Sequence, residues 1–221
     1  MKRVPSLLTL CILTAFFAVS AHAGNILVNG DFGTGSLTPW TPFTTSNGTN
    51  GSGLPNVVSF NTTGTGSSNS AHFNVGEVSF NKTQQGGGIS QTVDATTAGM
   101  YSFFANIASQ DDANGLVNSD AGTFSIVIDG TTDATDSLGA FASPHQIIRG
   151  TLSGSVDLTS GMHTFEILIT RGFASAGTAT PDEYVTNLAL NAPATGTPEP
   201  ATYMLAGMAL AGLALYRRKR A

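Results

Sequence analysis

Short apolar runs separated by turn sequences recur throughout residues 24–191 and limit what this part of the chain can fold into. They are rich in β-branched and aromatic residues, and Gly-, Asn- or Asp-containing turns separate most of them. No stretch shows a sustained 3.6-residue period, so a helical domain is excluded. The predicted strands are 26–28, 57–60, 71–75, 89–93, 101–107, 124–128, 147–156, 165–169 and 184–190. The sequence therefore predicts an all-β fold, an antiparallel β-sandwich of the jelly-roll type.

Two segments are too polar to bury one face of a strand, and a third follows the last predicted strand. Residues 41–56 and 61–70 consist almost entirely of Thr, Ser, Asn, Gly and Pro, and we predict that both are loops. Residues 192–197 are predicted to form a short flexible linker after the sandwich domain at 24–191.

The N-terminal segment has the three parts of a secretory signal peptide. A basic start, an apolar run and a small-residue cleavage site follow one another as Lys2 and Arg3, Leu7–Val19, and Ala21-His22-Ala23. We predict that residues 1–23 are removed by signal peptidase, with cleavage before Gly24. The protein is then expected to be exported.

Charge and cysteine content of the exported part exclude several functions. Residues 24–197 contain three basic residues, Lys82, Arg149 and Arg171, and thirteen acidic residues, which gives a formal charge of −10. A surface this acidic repels phosphate backbones, so nucleic acid is excluded as a partner. The single cysteine, Cys11, lies in the predicted signal peptide. The mature chain thus has no thiol for a disulfide, a nucleophile or a metal ligand.

The C-terminal segment, residues 198–221, also has three parts. A Pro198-Glu199-Pro200 triplet precedes an uncharged apolar run at 201–216, and a basic cluster follows. The basic residues are Arg217, Arg218, Lys219 and Arg220. At about 1.5 Å per residue the run makes a helix of roughly 24 Å, near the lower limit for crossing a hydrocarbon core. We predict a single transmembrane helix with its basic C-terminus in the cytoplasm.

This order of triplet, helix and basic cluster resembles the PEP-CTERM sorting signal of Gram-negative bacteria that make exopolysaccharide. The resemblance implies that a membrane protease-transpeptidase, exosortase, recognises Pro198-Glu199-Pro200 and removes the helix. The protein is then anchored in the inner membrane before processing, with its N-terminus outside and its C-terminus inside. Afterwards it is expected at the cell surface or in the extracellular matrix of a biofilm.

A second resemblance spans most of residues 24–191. The segments that carry it are Asn25–Phe32 followed by Trp40, Ile89–Asp94, Ala98–Phe103, Phe124–Gly130, Gly161–Ile167 and Tyr184–Leu190. In order and spacing they resemble the strands of bacterial carbohydrate-binding modules with the galactose-binding-like jelly roll. The resemblance implies that fold, and a polysaccharide as the ligand.

Members of that family often hold a structural calcium with acidic side chains from the first and last strands. Asp31 matches the first of these positions, whereas Thr186 stands where the family usually has an aspartate. Asp182 and Glu183 lie just upstream and could substitute, since Ca²⁺ prefers carboxylate and other oxygen ligands. The alternative is that Asp31 caps a turn beside Gly30 and that no cofactor is required.

Glycan binding needs an aromatic platform beside amide or carboxylate hydrogen-bonding groups. Trp40, the sole tryptophan, and Phe43 follow the first predicted strand and are the candidate platform residues. The alternative for Trp40 is a position in the core of the sandwich. Phe141, in another polar stretch, is a further candidate contact.

The sequence contains no motif of a known catalytic site. It has no G-x-S-x-G elbow and no H-E-x-x-H pair, and His72, His145 and His163 are far apart. We therefore predict a non-catalytic surface or matrix protein. Binding of exopolysaccharide is a further hypothesis within this prediction. The alternative is a small extracellular carbohydrate-active hydrolase, because thirteen acidic residues leave many carboxylate pairs open.

Overall fold

Two antiparallel sheets of five strands each enclose the hydrophobic core of residues 24–193. The computed structural model describes residues 24–111, 118–174, 180–194 and 207–208. Within these ranges the strands are β1 (Thr41–Thr44), β2 (Gly48–Thr49), β3 (Asn56–Phe60), β4 (Ser68–Phe73), β5 (Gly76–Glu77), β6 (Gln85–Ala95), β7 (Gly99–Gln110), β8 (Thr123–Ile128), β9 (Thr131–Ser137), β10 (Ile147–Leu158), β11 (Gly161–Arg171) and β12 (Asp182–Asn191).

Each sheet is built on long antiparallel pairs. The first sheet has the order β1-β6-β11-β8-β9 and the second β10-β7-β12-β4-β3, while β2 and β5 form a separate short ladder. β6 and β11 pair from Gln85–Arg171 to Ala95–Gly161, and β7 and β10 pair from Gly99–Leu158 to Gln110–Ile147. The all-β prediction is confirmed for the described residues of the sandwich, 24–111, 118–174 and 180–194.

The core forms because alternate residues of each strand point between the sheets. The first sheet contributes Ile89, Phe124, Ile126, Phe165, Ile167 and Ile169. The second contributes Ala71, Phe73, Tyr101, Phe103, Ile107 and Val185. All twelve side chains are at most 3% exposed. The apolar runs in the sequence thus mark the inward faces of the strands.

The first predicted strand, 26–28, is not a strand in the structure. Leu27 is buried, but Val28 makes its backbone hydrogen bonds with a side chain instead of a neighbouring strand. Its N–H donates to Gln91 Oε1 at 2.7 Å, and Gln91 Nε2 donates to its carbonyl at 2.9 Å. The side-chain amide of Gln91 therefore takes the place of a neighbouring strand. Close to this segment, an isolated β-bridge pairs Asn25 with Asn191.

The two predicted loops are partly wrong as well. Segment 41–56 contains β1, β2 and the first residue of β3, and segment 61–70 contains the first half of β4. β1 is an edge strand whose residues pair with Gly87–Ser90 of β6 and stay largely exposed. An edge strand needs no apolar face, so its polar sequence looked like a loop.

Several predictions fall outside the described residues. These are the signal peptide at 1–23, residues 195–197 of the linker, and the C-terminal segment except Gly207 and Met208, which are helical. No helix among the residues that the structure describes is long and apolar enough to span a membrane.

A buried arginine links the two sheets at one end of the sandwich. Arg171, the last residue of β11, is fully buried. Its guanidinium donates to Asp120 O (2.8 Å), Val75 O (3.3 Å) and Asn118 Oδ1 (2.5 Å). Its Nε also lies 3.6 Å from Oε1 of Glu183 on β12. These five residues form the Arg171 cluster.

The Arg171 cluster buries two ionisable groups together. Glu183 Oε2 accepts the Val75 N–H at 2.9 Å, so Val75 bonds to both the arginine and the glutamic acid. Burial raises the pKa of Glu183 to about 8 and lowers the pKa of Arg171. A buried cation needs such partners, because the loss of hydration on burial is costly.

We predict that Arg171→Ala lowers the free energy of unfolding by about 3–5 kcal/mol, because it leaves buried acceptors without a donor. The matched control is Arg149→Ala. Arg149 is exposed and donates through Nε to Asn61 O at 3.0 Å, so its loss is expected to cost about 1 kcal/mol or less. Urea unfolding of both variants measures the difference. Equal losses would contradict a linking role for Arg171.

Candidate functional site

Two exposed phenylalanines lie together at the end of the sandwich that holds the Arg171 cluster. Phe80 is 55% exposed and Phe173 is 39% exposed. Their ring centroids are 6.4 Å apart and their planes differ by 25°. Val78, two residues before Phe80, is 67% exposed. We call Phe80 and Phe173 the aromatic pair.

A buried carboxylate closes the loop that carries Phe80. Glu77 is fully buried, and its two side-chain oxygens accept backbone N–H groups across the loop. Oε2 accepts from Asn81 N and Oε1 from Thr83 N, both at 2.5 Å. Residues 77–83, the Glu77 loop, are therefore tied at both ends to one side chain.

Two further contacts hold the Glu77 loop in place. The Asn47 amide bonds both backbone groups of Ser79, donating to its carbonyl at 2.7 Å and accepting its N–H at 3.1 Å. The Glu77 N–H donates to Phe173 O at 2.8 Å, and Glu77 forms a parallel bridge with Ala174. The two aromatic residues are thus joined through the backbone, although 93 positions separate them.

Along the chain, the Arg171 cluster lies next to both segments that carry the aromatic pair. Arg171 precedes Phe173 by two residues, and Val75 precedes Glu77 by two residues. The hydrogen bond between Arg171 and Val75 O therefore joins the strand end that carries Phe173 to the segment that carries Phe80. The buried Arg171 therefore helps to set the distance between these two segments.

Polar side chains around the aromatic pair are mostly uncharged. Asn81, Thr83 and Gln84 are exposed, and the Gln84 amide lies beside Gly172. Lys82, also exposed, is the one cation of the Glu77 loop. Aromatic faces bordered by amide and hydroxyl groups match the C–H faces and hydroxyls of a sugar.

The structure does not bring the three predicted calcium ligands together. Asp31 lies near the C-terminal half of β12, where Gly30 O accepts the Leu188 N–H at 2.9 Å. Asp182 and Glu183 begin that strand, five or six residues away. At about 3.3 Å per residue, this places Asp31 too far for shared coordination.

Each of these carboxyl groups has another partner instead. Asp31 Oδ1 accepts the Gly33 N–H at 3.0 Å, as a turn cap does, and Asp182 Oδ1 lies 2.9 Å from His72 Nε2. Glu183 belongs to the Arg171 cluster. No group of three His, Cys, Asp or Glu side chains in the described ranges could hold a metal ion.

Trp40 is a core residue and not a binding platform. It is 4% exposed, packs against Phe32 and Phe165 at centroid distances of 6.3 and 6.2 Å, and donates its indole N–H to Asn29 O at 3.1 Å. Phe43 is half-buried in the edge strand β1, and Phe141 is buried. Phe80 and Phe173 are more exposed than these three residues and are therefore the candidate platform.

The C-terminal residues match a known sorting motif. The family model that matches is described as the PEP-CTERM protein-sorting motif, and it covers residues 197–220. The chain carries a PEP-CTERM sorting motif. This range contains the predicted sorting residues, namely Pro198, Glu199, Pro200, Arg217, Arg218, Lys219 and Arg220. None of the curated proteins matches the chain.

Solved structures similar to this chain include carbohydrate-binding modules. TmCBM61 in complex with β-1,4-galactotriose is 13% identical, covers 76% of this chain and 97% of its own, and has a TM-score of 0.42. The C-terminal family 22 module of Clostridium thermocellum Xyn10B is 18% identical, with coverages of 81% and 98% and a TM-score of 0.43.

A glycoside hydrolase is also among the similar structures. MgGH51 α-L-arabinofuranosidase is 16% identical and has a TM-score of 0.46. The match covers 78% of this chain but 27% of the arabinofuranosidase.

A second polar cluster lies near the start of β11, far along that strand from the aromatic pair. Both ring nitrogens of His163 face acceptors: Nδ1 lies 2.6 Å from Asp129 Oδ2, and Nε2 lies 2.9 Å from Thr159 O. The hydrogen bond with Asp129 raises the pKa of His163, and the Thr159 carbonyl adds to this. The cluster joins the turn after β8 to the turn after β10.

We predict that Asp129→Asn lowers the pKa of His163 towards its ordinary value of 6.5. Because the folded-state pKa is raised, His163 stabilises the fold fully below pH 6.5, and this stabilisation is lost as the pH rises through the folded-state pKa. An NMR titration of the imidazole measures the shift. In the control Asp94→Asn, which removes only a weaker through-space charge, the pKa changes less. Identical shifts in both variants would contradict this assignment.

Proposed function

We propose that this chain is an exported, non-catalytic protein that binds polysaccharide through the aromatic pair. After processing of its PEP-CTERM motif by exosortase, it serves at the cell surface or in the extracellular matrix. Its ligand there is the exopolysaccharide of the same cell. The alternative of a small hydrolase finds less support at this site.

The observation that carries this proposal is an exposed aromatic pair on a backbone that is held by hydrogen bonds. Phe80 and Phe173 stay in contact with water, while the backbone around them is fixed by Glu77, Asn47 and the bridge to Ala174. Burying such rings against a ligand is favourable, and a loop that is already ordered loses little entropy on binding. A sugar face fits the rings, and nearby amides fit its hydroxyls.

The sorting motif supports a route to the cell exterior. Signal peptidase would cut between Ala23 and Gly24, leaving the protein held in the inner membrane by its C-terminal segment. Exosortase would then act at Pro198-Glu199-Pro200. This route delivers the sandwich domain to the compartment in which exopolysaccharide accumulates.

The charges at the site favour binding without hydrolysis. Glycoside hydrolysis uses two carboxyl groups on opposite sides of the scissile bond. Glu77, which closes the Glu77 loop, is buried and bonded to Asn81 and Thr83, so it is unable to reach a ligand. The other carboxylate near the pair, Asp120, accepts the N–H groups of Gly122 and Gly172 with its two oxygens.

We predict that Phe80→Ala and Phe173→Ala each weaken polysaccharide binding about tenfold or more, because central aromatic contacts carry over 1 kcal/mol. Both variants should still fold, since neither ring belongs to the hydrophobic core. The matched control is Met162→Ala, a 65% exposed side chain near the start of β11. Affinity electrophoresis of the processed protein against a polysaccharide panel gives the result, with a reducing-end assay alongside.

Three outcomes would contradict the proposal. Binding that is unchanged in both phenylalanine variants would remove the aromatic pair from the site. Release of reducing ends would favour the hydrolase. Self-association that Phe80→Ala abolishes, without any polysaccharide binding, would make the pair a contact between copies of this chain.

For the sorting step, we predict that Glu199→Ala leaves the protein in the membrane fraction. The control is Asp157→Ala, an exposed carboxylate of the sandwich that should not affect sorting. Cell fractionation gives the location of both variants, and mass spectrometry identifies their C-terminal residues. Secreted wild-type protein that still contains residues 201–216 would overturn exosortase processing.

A further inference from the structure

We infer that the aromatic pair selects neutral polysaccharides and rejects polyanionic ones. This inference rests on the proposed function, because it concerns the ligand of the same site. It follows from where the few cations of the domain lie and from how its carboxylates are used.

The net charge of the exported domain disfavours anionic ligands at long range. Residues 24–197 carry a formal charge of −10. A polymer with one carboxylate or sulfate per repeat therefore approaches against the field of the whole domain. A neutral polymer feels no such force.

The cations that could offset this field are mostly remote from the site or already bonded. Arg171 is fully buried, and its guanidinium is taken up by Asp120, Val75 and Asn118. Arg149 lies on β10 and bonds to a backbone carbonyl. Among the described residues, an anionic sugar would find no free guanidinium fork at the aromatic pair.

Lys82 is the one cation of the Glu77 loop, and two carboxylates oppose it. The Glu77 carboxylate lies inside the same loop, bonded to its N–H groups. Asp120 Oδ2 accepts the Gly172 N–H at 3.3 Å, next to Phe173. With Arg171 counted as well, the two cations are matched by these two carboxylates, so the local formal charge has no positive excess that would attract an anion.

The remaining hydrogen-bonding side chains suit neutral hydroxyls. Asn81, Thr83 and Gln84 are exposed on the segment that follows Phe80, but the Thr83 hydroxyl donates to Asn81 Oδ1 at 2.5 Å. The groups left for a ligand are therefore the amides of Asn81 and Gln84, and amides both donate and accept. Such groups pair with sugar hydroxyls without desolvating a charge. Desolvating a carboxylate beside uncharged partners would instead cost affinity.

The test compares neutral polysaccharides with their own carboxyl-oxidised forms. Galactan, xylan, mannan and glucan are each presented to the processed protein, in chelator, beside the oxidised polymer of the same backbone where oxidation is feasible. Binding is measured at ionic strengths of about 0.01 M and 0.15 M, where the Debye length is about 30 Å and 8 Å. Phe80→Ala and Lys82→Ala are measured in parallel.

We expect one or more neutral polymers to bind with a Kd that changes less than about twofold between the two salt concentrations. The oxidised form should bind about tenfold more weakly or worse at low salt, with part of the loss recovered at high salt. Lys82→Ala should leave neutral binding unchanged, whereas Phe80→Ala should abolish most of it.

Three other results separate the inference from the proposed function. Oxidised polymer that binds as tightly as the neutral form, with Phe80→Ala removing both, would overturn the selectivity and keep the site. Loss of such binding in Lys82→Ala would identify Lys82 as an anion contact. Absence of binding to every polymer, neutral and oxidised, would overturn the proposed function and the inference with it.

Discussion

Burial of the Arg171 side chain between the sheets is the constraint on which the site depends. A guanidinium without water must have all its strong donors directed at acceptors, and here these acceptors come from two other segments of the chain. Asp120 and Asn118 precede β8, and Val75 lies between β4 and β5. The arginine thereby sets the relative positions of segments that no continuous sheet connects. One of them leads into the Glu77 loop, and the strand of Arg171 itself leads to Phe173.

Glu77 is a second buried ionisable side chain whose hydrogen bonds order the backbone around it. A buried carboxylate is tolerated because it accepts two short N–H bonds, and those bonds determine the shape of residues 77–83. Because these hydrogen bonds hold the loop, its apolar side chains do not need to be buried, and Val78 and Phe80 are exposed. Hydrogen bonding of the loop backbone by Glu77 thus explains how Phe80 can be both exposed and well positioned. It also makes the loop ready for a ligand before the ligand arrives.

The sequence predicted what depends on local alternation and missed what depends on tertiary pairing. Strands with an apolar inward face, such as β8 and β11, were predicted because that face fills the core. β9 (Thr131–Ser137) was missed because this exposed edge strand is almost entirely polar. The aromatic pair was missed since tertiary contacts bring Phe80 and Phe173 together, namely the hydrogen bond from Arg171 to Val75 O and the bridge between Glu77 and Ala174. In the sequence, the one local indication of an exposed aromatic residue was Phe80, which lies among Ser79, Asn81 and Lys82.

The most direct test of the central claim is an NMR titration of the isotopically labelled, processed protein with a polysaccharide fragment that it binds. We predict that the largest backbone amide shifts fall in residues 78–83 and at Phe173, while the buried Trp40 indole N–H stays unchanged. Shifts confined to the outer face of the second sheet, around Asn106 and Tyr184, would contradict the account, because the ligand would then occupy a surface that neither Glu77 nor Arg171 organises.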